Sequence, residues 1–224
     1  ALVGAIVSLA VTVPLYALIP SRFRALTLCS VSLLFYAWGS LPHAALILAL
    51  GGVVFVLGER LQSERRSTLF ALGVSLCVAV LCYFKYSVLF LRTVASVLPV
   101  GTTSAQLSQH ADILSLELQI PLGISFFTFE FVHYLTDIYQ GKIVRPHPLP
   151  PLHKRCTDFF LFALFFPTLL AGPIKRYQQF GTDPALAPSG TRPEQIAQGL
   201  WRILFGLLKK VLIADSLATI TLRL

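Results

Sequence analysis

Leu118-Gln119-Ile120-Pro121-Leu122-Gly123-Ile124-Ser125-Phe126-Phe127-Thr128-Phe129-Glu130-Phe131-Val132-His133-Tyr134-Leu135-Thr136-Asp137-Ile138-Tyr139 is an apolar run long enough to cross a bilayer as a helix, yet three ionisable groups sit in its second half. On a helix, Glu130, His133 and Asp137 are spaced i, i+3 and i+7 and fall on one stripe. Each such group at membrane depth costs about 2.5 kcal/mol or more unless it meets protein partners or water. The stripe is therefore expected to face a bundle interior or an aqueous cavity, with Tyr134 beside it.

Composition supports a membrane setting. Hydrophobic residues make up 55% of the 224 and charged residues 12%, and the mean hydropathy is +0.75; a soluble domain carries about twice that charge. Further runs at 2–19, 25–38, 43–58, 68–91 and 156–171, and a weaker one at 196–218, approach the roughly 20 apolar residues a spanning helix needs. A closed barrel would need alternating apolar and polar residues, which these runs lack. The sequence predicts an all-α fold, a polytopic transmembrane helical bundle.

A net charge of +8 suggests nucleic acid in a soluble chain, but here the cations sit between the apolar runs and act as orientation signals. Arg22 and Arg24, then Arg60, Arg65 and Arg66, then Lys142, Arg145, Lys154 and Arg155 occupy alternate connections, whereas 98–117 holds no Lys or Arg. The uncharged stretch 25–58 is too long for one span and folds as a hairpin near Ser40–Pro42. Loops 20–24, 59–67 and 140–155 then lie on the cytoplasmic side, with the first residue and the loops near 40 and 98–117 outside. One anomaly remains: a simple crossing by 156–171 would put Lys175, Arg176 and Arg192 outside, so that segment is expected to re-enter or break.

Other features carry less. Cys29, Cys77, Cys82 and Cys156 show no paired C-x-x-C spacing and are expected to form neither a disulfide nor a zinc site. The chain starts at Ala1 and has no Met, so its true N-terminus is expected to be missing or processed; run 2–19 lacks a basic n-region and a cleavage signal and reads as a retained first helix. The outer interval 99–117 has room for a short surface helix. Pro146, Pro148, Pro150 and Pro151 make 143–152 an extended connector, and 181–193 is a second one. Segment 196–218 mixes apolar residues with Arg202, Lys209, Lys210 and Asp215, which leaves it either at the interface or packed inside a bundle.

For the stripe itself three readings stand: interhelical glue, lining of a substrate passage, or His133 as general base. No metal-binding spacing supports a metal site. Lys85, flanked by Tyr83, Phe84 and Tyr86, reads as a snorkelling cation in an aromatic belt or as a buried substrate contact. Gly172-Pro173 forms a break followed by Lys175 and Arg176, which either anchor an interfacial turn or hold the phosphates of an acyl carrier. There is no G-x-S-x-G elbow, Walker motif or G-x-G-x-x-G.

Several blocks resemble the membrane-bound O-acyltransferase family, most of all its bacterial alginate O-acetyltransferase branch. They are Ser32-Leu33-Leu34-Phe35-Tyr36-Ala37-Trp38; Tyr83-Phe84-Lys85-Tyr86; Pro121 through Glu130; Tyr134-Leu135-Thr136-Asp137-Ile138-Tyr139-Gln140-Gly141; Phe166-Pro167 with Ala171-Gly172-Pro173-Ile174; and Gly206 through Asp215. The resemblance implies that residues 1–224 are the N-terminal part of one acyltransferase domain. The family's catalytic His lies in a later membrane segment, near W-R-R-W-H and L-W-H-G blocks that are absent here, so the catalytic residue of this chain is unknown and the chain alone is expected to be inactive. His133 falls where the family often carries Ser, and the resemblance gives it no catalytic role.

For the intact protein the resemblance implies transfer of an acyl group, most simply acetyl, from a cytoplasmic thioester such as acetyl-CoA to a hydroxyl of an exported polysaccharide or periplasmic partner. It implies a multi-pass protein of the bacterial inner membrane, in contact with lipid, with no tightly bound cofactor and no nucleic acid. Glu130, His133, Tyr134 and Asp137 would line the passage, and Lys175 and Arg176 would hold the donor. The alternative from another class is a transporter or channel subunit using the same polar stripe.

Overall fold

The computed structural model describes residues 12, 15, 16, 18–98, 102–117, 120–143, 148–169, 175–181 and 193–221. All regular structure among them is helical. The expected first helix at 2–19, the Gly172-Pro173 break and most of the 181–193 connector lie wholly or largely outside the described residues. The chain divides into two compact units, Ala1–Asp183 and Pro184–Leu224.

In the first unit the uncharged stretch bends where the sequence predicts. Helix α1, Ser21–Gly39, and helix α2, Leu41–Glu64, are separated by Ser40 alone, whose backbone is extended. Pro42 occupies the first turn of α2, where its missing N–H deprives the helix of no bond. Arg65, in the left-handed region at φ 44, then turns the chain into helix α3, Ser67–Val97. Helices α2 and α3 are long and apolar enough to cross a membrane. At about 1.5 Å per residue α3 runs roughly 46 Å, beyond the ~30 Å of a hydrocarbon core. Helix α4, Thr102–Glu117, occupies the polar interval and packs back on α3.

Helix α5, Ile124–Tyr139, is shorter than the apolar run that contains it. Leu122 and Gly123 form a turn closed by the Ile124 N–H on the Pro121 carbonyl at 3.2 Å, and Gly123 takes φ 73, a conformation an L side chain would resist. The helix therefore cannot begin before Ile124, and it spans only about 24 Å. It packs against α2, α3 and helix α6, Leu152–Leu164.

The expectation of a break in 156–171 holds, and its cause is visible. Pro167 has no N–H for the Ala163 carbonyl, and its ring would collide there in a continuous helix. Helix α6 accordingly stops at Leu164, Phe165 leaves helical geometry at ψ 99, and a single turn, α7 (Phe166–Leu169), follows. The Phe166 N–H donates to Ser32 Oγ of α1 at 3.3 Å. The chain then comes back: the Lys175 ammonium donates to the Phe162 carbonyl at 2.5 Å. A straight helix would carry residue 175 about 20 Å beyond residue 162. Helix α8, Tyr177–Gly181, lies against α6.

Cross-links mark the two ends of this unit. At one end, Tyr36 Oη donates to the Leu122 carbonyl at 2.5 Å. At the other, Arg155 donates to Glu59, and the Arg65 guanidinium lies beside Gly141. Loops 59–67 and 140–155 therefore meet at one end, and the 40 and 122 turns at the other.

Between the ends, α2 is the hub, in contact with α1, α3, α5 and α6. Its buried face repeats every three to four residues through Ile47, Leu50, Val54, Leu57 and Leu61. Phe127, Phe131, Phe159 and Phe162 fill the space around it, with Phe131 and Phe159 stacked at 5.9 Å. Such packing gains from close contact between helices, which small residues permit. Gly58 provides it: the Tyr134 ring lies so near that a Cβ there would sit 2.7 Å from Cε1. The four cysteines are free thiols.

The second unit consists of helix α9, Pro193–Leu208, a π-helical segment, Lys209–Ala214, and helix α10, Asp215–Thr221. None of its described side chains is buried. Lys209 Nζ, at the start of the π-helical segment, sits over the Phe205 ring of α9 at 5.6 Å, and Lys210 Nζ lies 3.9 Å from Asp215.

Candidate functional site

Glu130, Tyr134 and Asp137 of the stripe point into the first unit. Glu130 is 5% exposed, Asp137 4% and Tyr134 3%. His133 lies toward the rim, its side chain 32% exposed. The three ionisable groups do not share one centre. They separate, about 10 Å apart along α5, into two clusters.

In the first cluster, Glu130 Oε1 lies 3.5 Å from the Lys175 ammonium, and both side chains are more than nine-tenths buried. Lys175 also donates to the Phe162 carbonyl, and its ammonium stands 5.4 Å from the Phe162 ring, 5.8 Å from Phe165 and 5.5 Å from Phe180. All three distances fall within the range in which a ring quadrupole attracts a cation. Removing either partner of a buried pair leaves the other charge stranded, at about 3–5 kcal/mol. Of the three cations behind the charge anomaly, Lys175 is thus paired inside the first unit.

In the second cluster, Asp137 is approached by Lys142 Nζ at 3.7 Å and His133 Nε2 at 3.6 Å. The Asp137 carbonyl accepts the backbone N–H groups of Lys142 at 2.9 Å and Ile143 at 3.4 Å, which fixes the exit from α5. His133 Nδ1 is buried and makes no hydrogen bond.

Tyr134 stands between the clusters. Its ring packs on Phe159 at 4.9 Å and edge-on to Tyr177 at 5.0 Å, so the returning segment closes over it. Lys175 and Arg176, adjacent in sequence, part company: Lys175 is buried and Arg176 exposed. Lys85 is exposed on α3, 5.6 Å from the Tyr86 ring. Among the described residues no group of three or more His, Cys, Asp or Glu side chains is placed to hold a metal ion.

Two contacts were not legible beforehand. Glu59 pairs with Arg155 across 96 positions, which also donates to the Pro150 carbonyl at 3.1 Å; the only signal was that both flank loops read as lying on one side. Glu130 and Lys175 were each singled out, but nothing in the sequence joined them.

The chain is 32% identical over 213 residues to the probable alginate O-acetylase AlgI of Azotobacter vinelandii, a match covering 92% of this chain and 39% of that protein. It is 31% identical over 222 residues to the peptidoglycan O-acetyltransferase of Helicobacter pylori, covering 88% and 39%. It is 28% identical over 172 residues to the teichoic acid D-alanyltransferase of Lacticaseibacillus rhamnosus, covering 75% and 34%. The chain thus spans less than half the length of these curated relatives. No family model and no solved structure matches it. The matches bear out the resemblance to membrane-bound O-acyltransferases carried by the sequence blocks. They do not favour a transporter or channel subunit.

Proposed function

We propose, from this kinship with membrane-bound O-acyltransferases, that residues 1–224 form the N-terminal, membrane-embedded part of an enzyme that O-acetylates an exported polysaccharide. The observation that carries the reading is the 32% identity to an alginate O-acetylase over 92% of the chain. The donor is a cytoplasmic acyl thioester such as acetyl-CoA, and the acceptor is a hydroxyl of the polymer or of a periplasmic partner that passes the group on. The general base is a His beyond Leu224; a positioned base of this kind is typically worth about 10²–10⁴ in rate.

In this reading the protein is multi-pass in the bacterial inner membrane. Glu59, Arg65, Gly141 and Arg155 mark the cytoplasmic end, and Tyr36 and Leu122 the outer one. The gathering of the basic loops 59–67 and 140–155 supports that orientation. Glu130, His133, Tyr134 and Asp137 belong to the wall of the acyl passage. The burial of Glu130, Tyr134 and Asp137 in the helical interior, with His133 at its rim, supports this placement. Of the two cations after the break, Arg176 is the one available to donor phosphates, because Lys175 is engaged by Glu130.

The test is expression of the full-length protein in a host lacking its own O-acetyltransferase, with transfer of labelled acetyl from acetyl-CoA to polysaccharide measured in membranes. Transfer by the full chain and none by residues 1–224 is expected. Absence of transfer with every polysaccharide and partner protein of the native host supplied would overturn the proposal.

A further inference from the structure

The chemistry around Lys175 Nζ is that of a binding site for a primary ammonium ion. A carboxylate lies on one side at 3.5 Å, a backbone carbonyl accepts a hydrogen bond at 2.5 Å, and three phenyl rings surround the cation at 5.4–5.8 Å. The walls come from three parts of the fold: Glu130 from α5, Phe162 from α6 with Phe165 just after it, and Phe180 from α8. The cation and the Phe180 ring come from the returning segment, and the other walls from the bundle.

Apolar docking alone would not select this arrangement. A methionine or leucine at 175 would fill the volume and leave Glu130 with an unpaired charge. Three donors on a compact head suit the carboxylate, the carbonyl and the ring faces together.

We propose that Glu130, the Phe162 carbonyl and the rings of Phe162, Phe165 and Phe180 form an ammonium-binding cage, kept filled by Lys175, and that this occupancy tethers the returning segment 175–181 to the bundle. The site is independent of the acyl-transfer reading, since it rests on the cage geometry alone. Its ligand class is the primary alkylammonium, and its resident is a side chain of the same protein.

The experiment uses the full-length protein in detergent, with Lys175→Ala and n-propylammonium as the probe, because that ion restores the three carbons and the nitrogen the substitution removes. Thermal unfolding is followed against n-propylammonium, with n-propanol as a neutral match and tetramethylammonium as a cation without N–H donors. The melting temperature of Lys175→Ala should fall below wild type and recover with n-propylammonium in a saturable way, half-maximally on the order of 1–100 mM for so small a ligand. Wild type, whose cage is full, should not respond, and neither should Lys175→Ala combined with Glu130→Gln. An equal response of wild type and variant, or recovery with n-propanol, overturns the proposal.

Should Lys175→Ala not fold, Lys175→Met and Glu130→Gln are compared singly and together. The cage requires strong coupling, with the double variant no less stable than the weaker single one. Additive losses overturn it.

Discussion

Gly58→Ala places a methyl group against the ring of Tyr134. Its Cβ would stand 2.7 Å from Tyr134 Cε1, 2.9 Å from Oη and 3.1 Å from Ile138 Cδ1. Carbon atoms pack best at about 3.5–4.0 Å, so the overlap with the ring is roughly 1 Å. The ring has little room to withdraw, since Phe159 and Tyr177 stand at 4.9 and 5.0 Å on its other sides. Overpacking of this kind costs about 1–3 kcal/mol, whereas Ala gains about 0.5–1 kcal/mol over Gly within a helix. The balance is a net loss of about 0–2.5 kcal/mol, toward the upper end because the ring is boxed in. Two other helical glycines calibrate the sum. A Cβ at Gly52 meets nothing within 4 Å, and one at Gly73 meets the flexible end of Leu135 at 2.7 Å. Thermal unfolding of the three full-length variants in one detergent should rank Gly52→Ala highest, Gly73→Ala in the middle and Gly58→Ala lowest. If Gly58→Ala melts at or above Gly52→Ala, the close approach of α2 to Tyr134 is wrong. The same substitution should lower acyl transfer, because Tyr134 carries Tyr177 and the returning segment with it.

Three further outcomes test the architecture. In a background lacking Cys29, Cys77, Cys82 and Cys156, Ser104→Cys should react with an impermeant thiol reagent on intact cells; labelling only after lysis inverts the topology. Glu59→Gln and Arg155→Gln should each cost about 1–3 kcal/mol, between an exposed and a buried pair, because the two side chains are 24% and 20% exposed; thermal unfolding should show the exchange Glu59→Arg with Arg155→Glu regaining part of the loss, and no recovery removes the pairing. Arg176→Ala should raise KM for the acyl thioester roughly 10- to 100-fold, the value of a hydrogen bond to a charged group, with kcat little changed; an unaltered KM takes Arg176 out of the donor site.

Helix existence and the Ser40 turn were legible because apolar periodicity, missing charge and Pro42 all point the same way. The inward direction of Glu130 and Asp137 was legible too, since ionisable groups within an apolar run need protein partners or water. The start of α5 is harder to read: the apolar run extends back to Leu118, interrupted only by Gln119 and Pro121, and the left-handed Gly123 sets the helix start at Ile124. Pro167 carried the signal for the end of α6, but a proline in an apolar run tells that a helix stops and not where the chain goes next. The pairing of Glu130 with Lys175 spans 45 positions and depends on that return path, so charge counting exposed an inconsistency without naming the partner. The split of the stripe into two clusters followed from the same omission.

The return of the chain at Lys175 has a consequence for how the protein is made. Helix α5 brings two carboxylates, and the segment after Phe165 brings a lysine; presented singly to the membrane insertion machinery, each charge costs about 2.5–3.5 kcal/mol. Paired, Glu130 and Lys175 cancel most of that cost. Under the proposed multi-pass reading, helix α5 gains its full hold on the bilayer only when residues 152–181 have left the ribosome, and a translating chain stalled between Tyr139 and Lys175 should be the stage most exposed to quality-control proteases.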